Sequence, residues 1–362
     1  MKILFTFYNP SGGMETLNRI RCEALAVQGI ECHLLYTHPG EGQKNIRNIP
    51  VHLIRSDEAL KSLLADHTFD LIVVCTDIEL AVRIRQHGYT GLLVFELQGL
   101  GQIDEARAVV ADFAGRIRLY TDALLYPETA HLRQLLREYL PDMPHYCFDD
   151  PVGLANFQYV AYPARKFPVL AWVGRLQANK NWKEFLQIGL QLLKYQPQLY
   201  LWMFQDDTLF DPEERAAFEQ FVAEKGLASR LILYSNVPHE HMADYMSIIG
   251  DSGGLLCSTS ILEGFGYAVA EAMLCRCPVL SSDSDGIRRM IIHNQTGKIY
   301  RVGQISEAVT AAASLMFDLP MRASIRRKGE QHIRRNLYPE LYVSRFLQMH
   351  KSLAAKARQR QN

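Results

Sequence analysis

The chain has 362 residues, 48% of them hydrophobic, with 39 Lys and Arg against 39 Asp and Glu. This length is more than one ordinary core needs, the composition excludes a disordered or low-complexity chain, and no apolar run approaches the roughly 18 residues of a membrane-spanning helix. The zero net charge hides an asymmetry: residues 1 to 150 hold 14 basic and 20 acidic side chains, residues 151 to 362 hold 25 and 19. A second half that handles an anion and a solvated surface of mixed charge account for this equally well, while the acidic first half gives no basic footprint for nucleic acid.

In chain order, Met1 to Phe7 reads as a short β-run entering Asn9-Pro10-Ser11-Gly12-Gly13, without the apolar core and cleavage site of an export signal. Further apolar runs at His33 to Tyr36, Leu71 to Cys75, Leu92 to Phe95 and Ala123 to Tyr126 alternate with helical patterns. Continuous apolar strands separated by helices predict a parallel sheet covered on both faces, and so a doubly wound first domain over residues 1 to 150. The rhythm breaks from about residue 148 to 168, where Pro151, Gly153, Pro163 and Pro168 mark a linker.

It restarts with Val169 to Val173, Leu199 to Phe204, Leu231 to Tyr234, Gly254 to Cys257 and Pro278 to Ser281, predicting a second domain of the same architecture over residues 151 to 338. Trp182, Phe185, Leu186, Gly189, Leu192 and Leu193 share one helical face within it. Arg322, Arg326, Arg327, Lys328, Arg334 and Arg335 read as a solvated basic face. In the segment 339 to 362, Leu341, Tyr342, Phe346, Met349 and Leu353 fall near helical spacing, predicting a helix that packs back toward the first domain and a polar tail from Lys356 that frays.

The seven cysteines, at 22, 32, 75, 147, 257, 275 and 277, form no Cys-x-x-Cys pair and no zinc spacing with histidine. They read as small hydrophobes in a reducing compartment, which points to the cytoplasm.

Chemistry concentrates in two places. Ser258 to Leu274 leaves an apolar strand through Glu263-Gly264-Phe265-Gly266-Tyr267 and enters a helix carrying Glu271. Glycines at 264 and 266 let backbone approach a ligand, and the amides of the helix's first turn suit a diphosphate. Glu263 and Glu271 are too far apart for an acid–base dyad; each suits a sugar or ribose diol, and a helix-capping Glu with an exposed Glu is the plainer alternative. Upstream, Gly174-Arg175-Leu176 and Lys180-Asn181 follow a strand at the carboxyl end, where open α/β sheets bind ligands. There Arg175 and Lys180 together suit a leaving diphosphate, though such a pair is also common as surface charge. Gly12-Gly13 makes a further turn after the first strand, and no Gly-x-Gly-x-x-Gly fingerprint supports a nicotinamide site, an epimerase or an oxidoreductase.

With these residues in hand, nearly the whole chain resembles the retaining nucleotide-sugar glycosyltransferases of the GT-B fold, family 4. The resemblance rests on Gly12-Gly13, Asp122 to Leu125, Gly153 to Phe157, Gly174-Arg175-Leu176 with Lys180-Asn181, Glu263 through Met273, Pro278-Val279 and Thr296-Gly297. It implies two Rossmann-like domains facing across a cleft, an acceptor domain first and a donor domain second. It implies that Arg175 and Lys180 bind the donor diphosphate with backbone amides around Gly264, Phe265, Gly266 and Tyr267. Glu263 would hold sugar hydroxyls, Glu271 the ribose, and Gly12 and Gly13 would lie by the donor phosphates or the acceptor. Transfer would retain the anomeric configuration, the leaving phosphate helping to deprotonate the acceptor, with no cofactor and no metal.

Many relatives place a histidine where this chain has Phe95-Glu96-Leu97-Gln98-Gly99, so its sugar contact falls to Glu96, to Gln98 or to nothing. The donor would be a UDP- or GDP-hexose and the acceptor a glycan, a lipid-linked saccharide or a small molecule, with peripheral contact at the inner membrane face left open. The alternative is a GT-B subunit that binds nucleotide sugar or glycan without catalysis and supports a partner enzyme.

Overall fold

A computed structural model of the chain describes residues 1–99, 103–163 and 165–361. Its contacts divide the chain into one unit of Met1–Val152 with Leu337–Asn362 and a second of Gly153–Asn336.

The first unit runs β1 (Lys2–Phe7), α1 (Gly12–Ala26), β2 (Glu31–Tyr36), β3 (Val51–Leu53), α2 (Asp57–Asp66), β4 (Leu71–Cys75), α3 (Ile78–Gln86), β5 (Leu92–Glu96), α4 (Ile103–Tyr120), β6 (Ala123–Tyr126), α5 (Ala130–Tyr139) and β7 (His145–Cys147). Among the described residues the strands form a parallel sheet in the order β3-β2-β1-β4-β5-β6-β7. Leu71 to Cys75 is buried at every position, as a strand covered on both faces requires. The three-residue strands β3 and β7 are too short to leave a periodic signal, and the apolar runs did not reveal them.

The second unit runs β8 (Val169–Val173), α6 (Trp182–Leu193), β9 (Tyr200–Gln205), α7 (Pro212–Glu224), β10 (Leu231–Ser235), α8 (His239–Asp251), β11 (Leu255–Ser258), α9 (Tyr267–Leu274), β12 (Val279–Ser282), β13 (Lys298–Tyr300), α10 (Ile305–Phe317) and α11 (Leu319–Asn336). Its parallel sheet has the order β10-β9-β8-β11-β12-β13. The order reverses between β8 and β11, so the loops leaving these two strands flank the switch point where doubly wound sheets bind ligands. On α6, Trp182, Phe185, Leu186, Ile188, Gly189 and Leu192 are buried against the sheet. Each large side chain of this stripe contributes about 1.5–3 kcal/mol of burial.

Of the basic face expected on α11, Arg327, Lys328 and Arg335 are exposed, and the expectation is corrected at Arg322 and Arg326. Arg322 is buried and donates to the carbonyl oxygens of Leu315, Gly250 and Gly254, while Arg326 pairs with Asp251 and donates to Arg276 O. Buried carbonyls need donors, and a guanidinium offers several in one plane.

The last helix, α12 (Pro339–Gln361), belongs to the first unit. Tyr342, Val343, Phe346, Met349 and Leu353 enter a cluster with Ile3, Phe5 and Leu34, and the Phe346 ring lies 5.6 Å from that of Phe5. The fraying tail is also corrected: the helix continues to Gln361, because Ala, Lys, Arg and Gln are good helix formers. Asn362 lies outside the described residues.

Candidate active site

Two loops at the switch point of the second sheet, one after β8 and one after β11, are stitched together. Trp172 Nε1 donates to Thr259 Oγ1 at 3.1 Å, and that hydroxyl faces the carbonyl oxygens of Lys180 and Asn181 at 2.9 and 3.0 Å. Asn179 Nδ2 donates to Leu262 O at 2.9 Å, and Asn179 Oδ1 accepts from Leu262 N at 3.1 Å. The Asn179 carbonyl accepts from Ile261 N at 2.8 Å. Residues some eighty positions apart are thereby held as one rim.

On this rim Lys180 Nζ pairs with Glu263 Oε1, which also accepts from Ser260 Oγ at 2.7 Å. Both side chains keep a solvent-facing fraction, 22% for Lys180 and 16% for Glu263. Arg175 is half-buried, and among the described residues no hydrogen bond or ion pair engages its guanidinium. The backbone then turns through Gly266 at φ +91° into α9. That region of φ is strained for a side chain, and a Cβ here would meet Ile287 Cδ1 at 2.6 Å. From the far side Gly286 N donates to Glu263 O at 3.0 Å, and a Cβ at 286 would stand 2.4 Å from Gly264 O. Phe265 and Tyr267 are buried, their ring centroids 4.8 Å apart, so this turn presents its backbone rather than its side chains. The first turn of α9 lies at the positive end of the helix, where Val269 N donates to Gly266 O at 3.0 Å.

Glu271 has a separate environment. Its Oε1 lies 2.9 Å from His239 Nε2, and the Phe157 ring packs edge-on against that imidazole at 4.9 Å. Sequence reasoning missed His239, which opens α8 directly after Pro238. A strand-to-helix loop at the carboxyl end of the sheet was the available signal.

In the first unit Gly12 and Gly13 open α1 after β1, Gly12 at φ +60°. Glu96 ends β5 and is fully buried: both its oxygens lie 2.8 Å from Arg21 Nη1, and the Arg21 guanidinium centre lies 3.9 Å from the Phe5 ring centroid. Burial opposes the Arg21 charge, and Glu96 more than offsets it, so its pKa is raised. Glu96 could touch a substrate only by breaking this pair. Gln98 is more exposed, and its Nε2 donates to Glu96 Oε1 and Asp150 Oδ1, both at 3.0 Å. Asp150 has its pKa raised well above the usual carboxylate range by burial and by nearby Glu96.

Comparison with known proteins bears on this arrangement. The family model described as "Glycosyl transferases group 1" matches residues 161–332. The chain carries a glycosyl transferases group 1 segment. That segment contains Arg175, Lys180, Glu263, Gly264 to Tyr267, Glu271 and His239; Gly12, Gly13, Glu96 and Gln98 lie outside it.

Two curated relatives resemble the chain over a similar stretch. An alpha-D-kanosaminyltransferase of Streptomyces kanamyceticus is 23% identical over 43% of this chain and 38% of its own length. A trehalose synthase of Pyrococcus horikoshii is 24% identical over 51% and 44%. The chain thus spans less than half the length of these curated relatives. Solved structures match throughout: sucrose-phosphate synthase of Thermosynechococcus elongatus at TM-score 0.83 and 18% identity, covering 98% of this chain and 100% of that one. Anabaena HepE, crystallised with UDP and glucose, matches at TM-score 0.81 and 16% identity with the same coverage. The group 1 segment is therefore the second half of a GT-B fold.

Proposed function

We propose that the protein transfers a hexosyl group from a nucleoside diphosphate sugar, UDP- or GDP-linked, to a hydroxyl of a glycan or other acceptor, with retention at the anomeric carbon. The observation that carries this reading is the rim itself: the Lys180–Glu263 pair, the Arg175 guanidinium, unpartnered among the described residues, and the Gly264–Gly266 turn at the positive end of α9. A diphosphate would take the two cations and the α9 amides, with Lys180 exchanging part of its bond to Glu263 for phosphate oxygen. Glu263, released in part, would accept from sugar hydroxyls, and Glu271 with His239 behind it would hold the ribose diol.

In the reaction the acceptor oxygen bonds to the anomeric carbon as the bond from that carbon to the diphosphate oxygen breaks. The acceptor proton passes to the departing phosphate. Arg175, Lys180 and the helix amides would stabilise the negative charge that develops there, with neither metal nor cofactor invoked. Gly12, Gly13 and Gln98 are proposed to serve the acceptor, with Glu96 positioning Gln98. Among the described residues no helix is long and apolar enough to cross a membrane; we place the activity in the cytoplasm.

The relative in complex with UDP and glucose supports screening UDP-sugars first. The test is donor-dependent thermal stabilisation followed by a transfer and donor-hydrolysis assay. A selective shift with turnover supports the proposal; turnover unaltered in Lys180→Ala and Arg175→Ala sinks the site. Capture of Glu96 by Arg21 favours a second reading, a subunit that binds donor or glycan without catalysis. Donor binding with no transfer and no hydrolysis would establish it.

A further inference from the structure

In the first unit, three imidazoles converge from three elements. His33 is on β2, His52 on the edge strand β3, and His67 caps the carboxyl end of α2. One nitrogen from each lies within 4.8 Å of the others. His33 Nδ1 stands 2.9 Å from His52 Nε2, and ring centroids separate His33 from His52 by 5.1 Å and from His67 by 4.8 Å. His33 is buried, while His52 and His67 are half-buried, so the cluster opens to solvent on one side.

We propose that His33, His52 and His67 bind one divalent transition-metal ion of the zinc type. Two nitrogens on a tetrahedral zinc stand about 3.3 Å apart at bond lengths of about 2.0–2.1 Å. The 2.9 Å approach and the 4.8 Å outer limit bracket that spacing, so side-chain shifts of well under a turn close the site.

The second observation is on the back of His33. Its Nε2 lies 2.8 Å from Glu31 Oε1, and the same oxygen is 3.0 Å from Lys2 Nζ. A carboxylate there fixes the proton on Nε2 and turns the Nδ1 lone pair toward His52, which is how metal-binding histidines are oriented. The Phe69 ring packs edge-on against His33 at 5.4 Å and supplies an apolar wall. Neutral imidazoles with no carboxylate or thiolate ligand favour zinc-type ions over magnesium or calcium. Three protein ligands leave a position for water. The ion would fasten a three-residue edge strand to the end of α2.

The test uses the full chain without a histidine tag, stripped of metal and titrated with Zn²⁺ by calorimetry and with Co²⁺ by visible absorption. One ion per chain, a rise in melting temperature and strong visible bands of low-coordinate cobalt are expected. His52→Gln with His67→Gln should abolish saturable binding, and Glu31→Gln should weaken it about tenfold or more. Absence of saturable Zn²⁺ binding in the parent, or equal binding by the double variant, overturns the site. Should the double variant not fold, the cobalt spectrum of the parent decides: imidazole-type bands sustain the site, and the spectrum of the aqueous ion overturns it.

Discussion

Asn179 and Leu262 exchange two hydrogen bonds, the side-chain amide of one closing on the backbone N–H and carbonyl of the other at 3.1 and 2.9 Å. The pairing fixes the height of Lys180 and Glu263, the next residue in each loop. Asn179→Ala removes both bonds at once and leaves a half-buried N–H and C=O to find water, at about 1–3 kcal/mol. Melting temperature and nucleotide-induced stabilisation should both fall. An unchanged nucleotide-induced shift would mean that the two loops are positioned independently.

Lys180→Ala and Glu263→Gln separate two roles on the same rim. Losing a cation that meets developing charge should lower kcat about 100-fold, as loss of one preorganised donor does. Glu263→Gln keeps the shape but frees Lys180 from its ion pair, so nucleoside diphosphate alone should bind at least as tightly while transfer falls. Steady-state rates and calorimetry with UDP check both, and parallel losses of binding in the two variants would contradict the division.

The Arg21–Glu96 pair is buried at both ends, with 0% and 1% of the side chains exposed. Breaking it from one side by Arg21→Leu should cost about 3–5 kcal/mol, because the Glu96 carboxylate stays behind buried, without its cation and with Asp150 nearby. The double change Arg21→Leu with Glu96→Leu should recover much of that loss. Urea unfolding of the three variants reads the coupling, and additive losses would show that the pair acts as two independent groups.

Asp150 gives a pH signature. Its folded-state pKa is raised by burial and by Glu96, so as pH climbs through the unfolded value of about 3.9 the unfolded chain gives up a proton the folded chain keeps. Stability from this group therefore falls from about pH 4 upward. Asp150→Asn, whose side-chain oxygen still accepts from Gln98, should gain on the parent in melting temperature between pH 4 and pH 7. Parallel melting profiles would show that Asp150 ionises normally.

The long strands and the Glu263–Glu271 segment were legible because each is local: a continuous apolar run, or a glycine turn that opens a helix. The three-residue strands β3, β7 and β13 carry too few positions to show a period. Partnerships were harder to read. Nothing in the residues around Arg21 or Arg322 announces that these guanidinium groups are buried: beside the local acceptors Asn18 and Leu315, the groups that satisfy them, Glu96 and the carbonyls of Gly250 and Gly254, lie 68 to 75 positions away. His239 beside Glu271 and Asn179 beside Leu262 were hidden for the same reason. Residue type reports what a group needs, and only the fold reports who provides it.

The placement of α12 has a consequence for biosynthesis. Phe346, Met349 and Leu353 fill a core whose other walls come from β1, α1, β2, β4, β5 and β6, all of them made before the second unit. At translation rates of roughly 5–20 residues per second, the opening half waits about 10 to 40 s for its last wall while the whole second unit is made. During that interval apolar surface on β1 and α1 stays open to chaperones and to neighbouring nascent chains. A chain cut just before Leu337 would carry all of the second unit and lack one wall of the first, so loss of α12 should harm the earlier-made unit most.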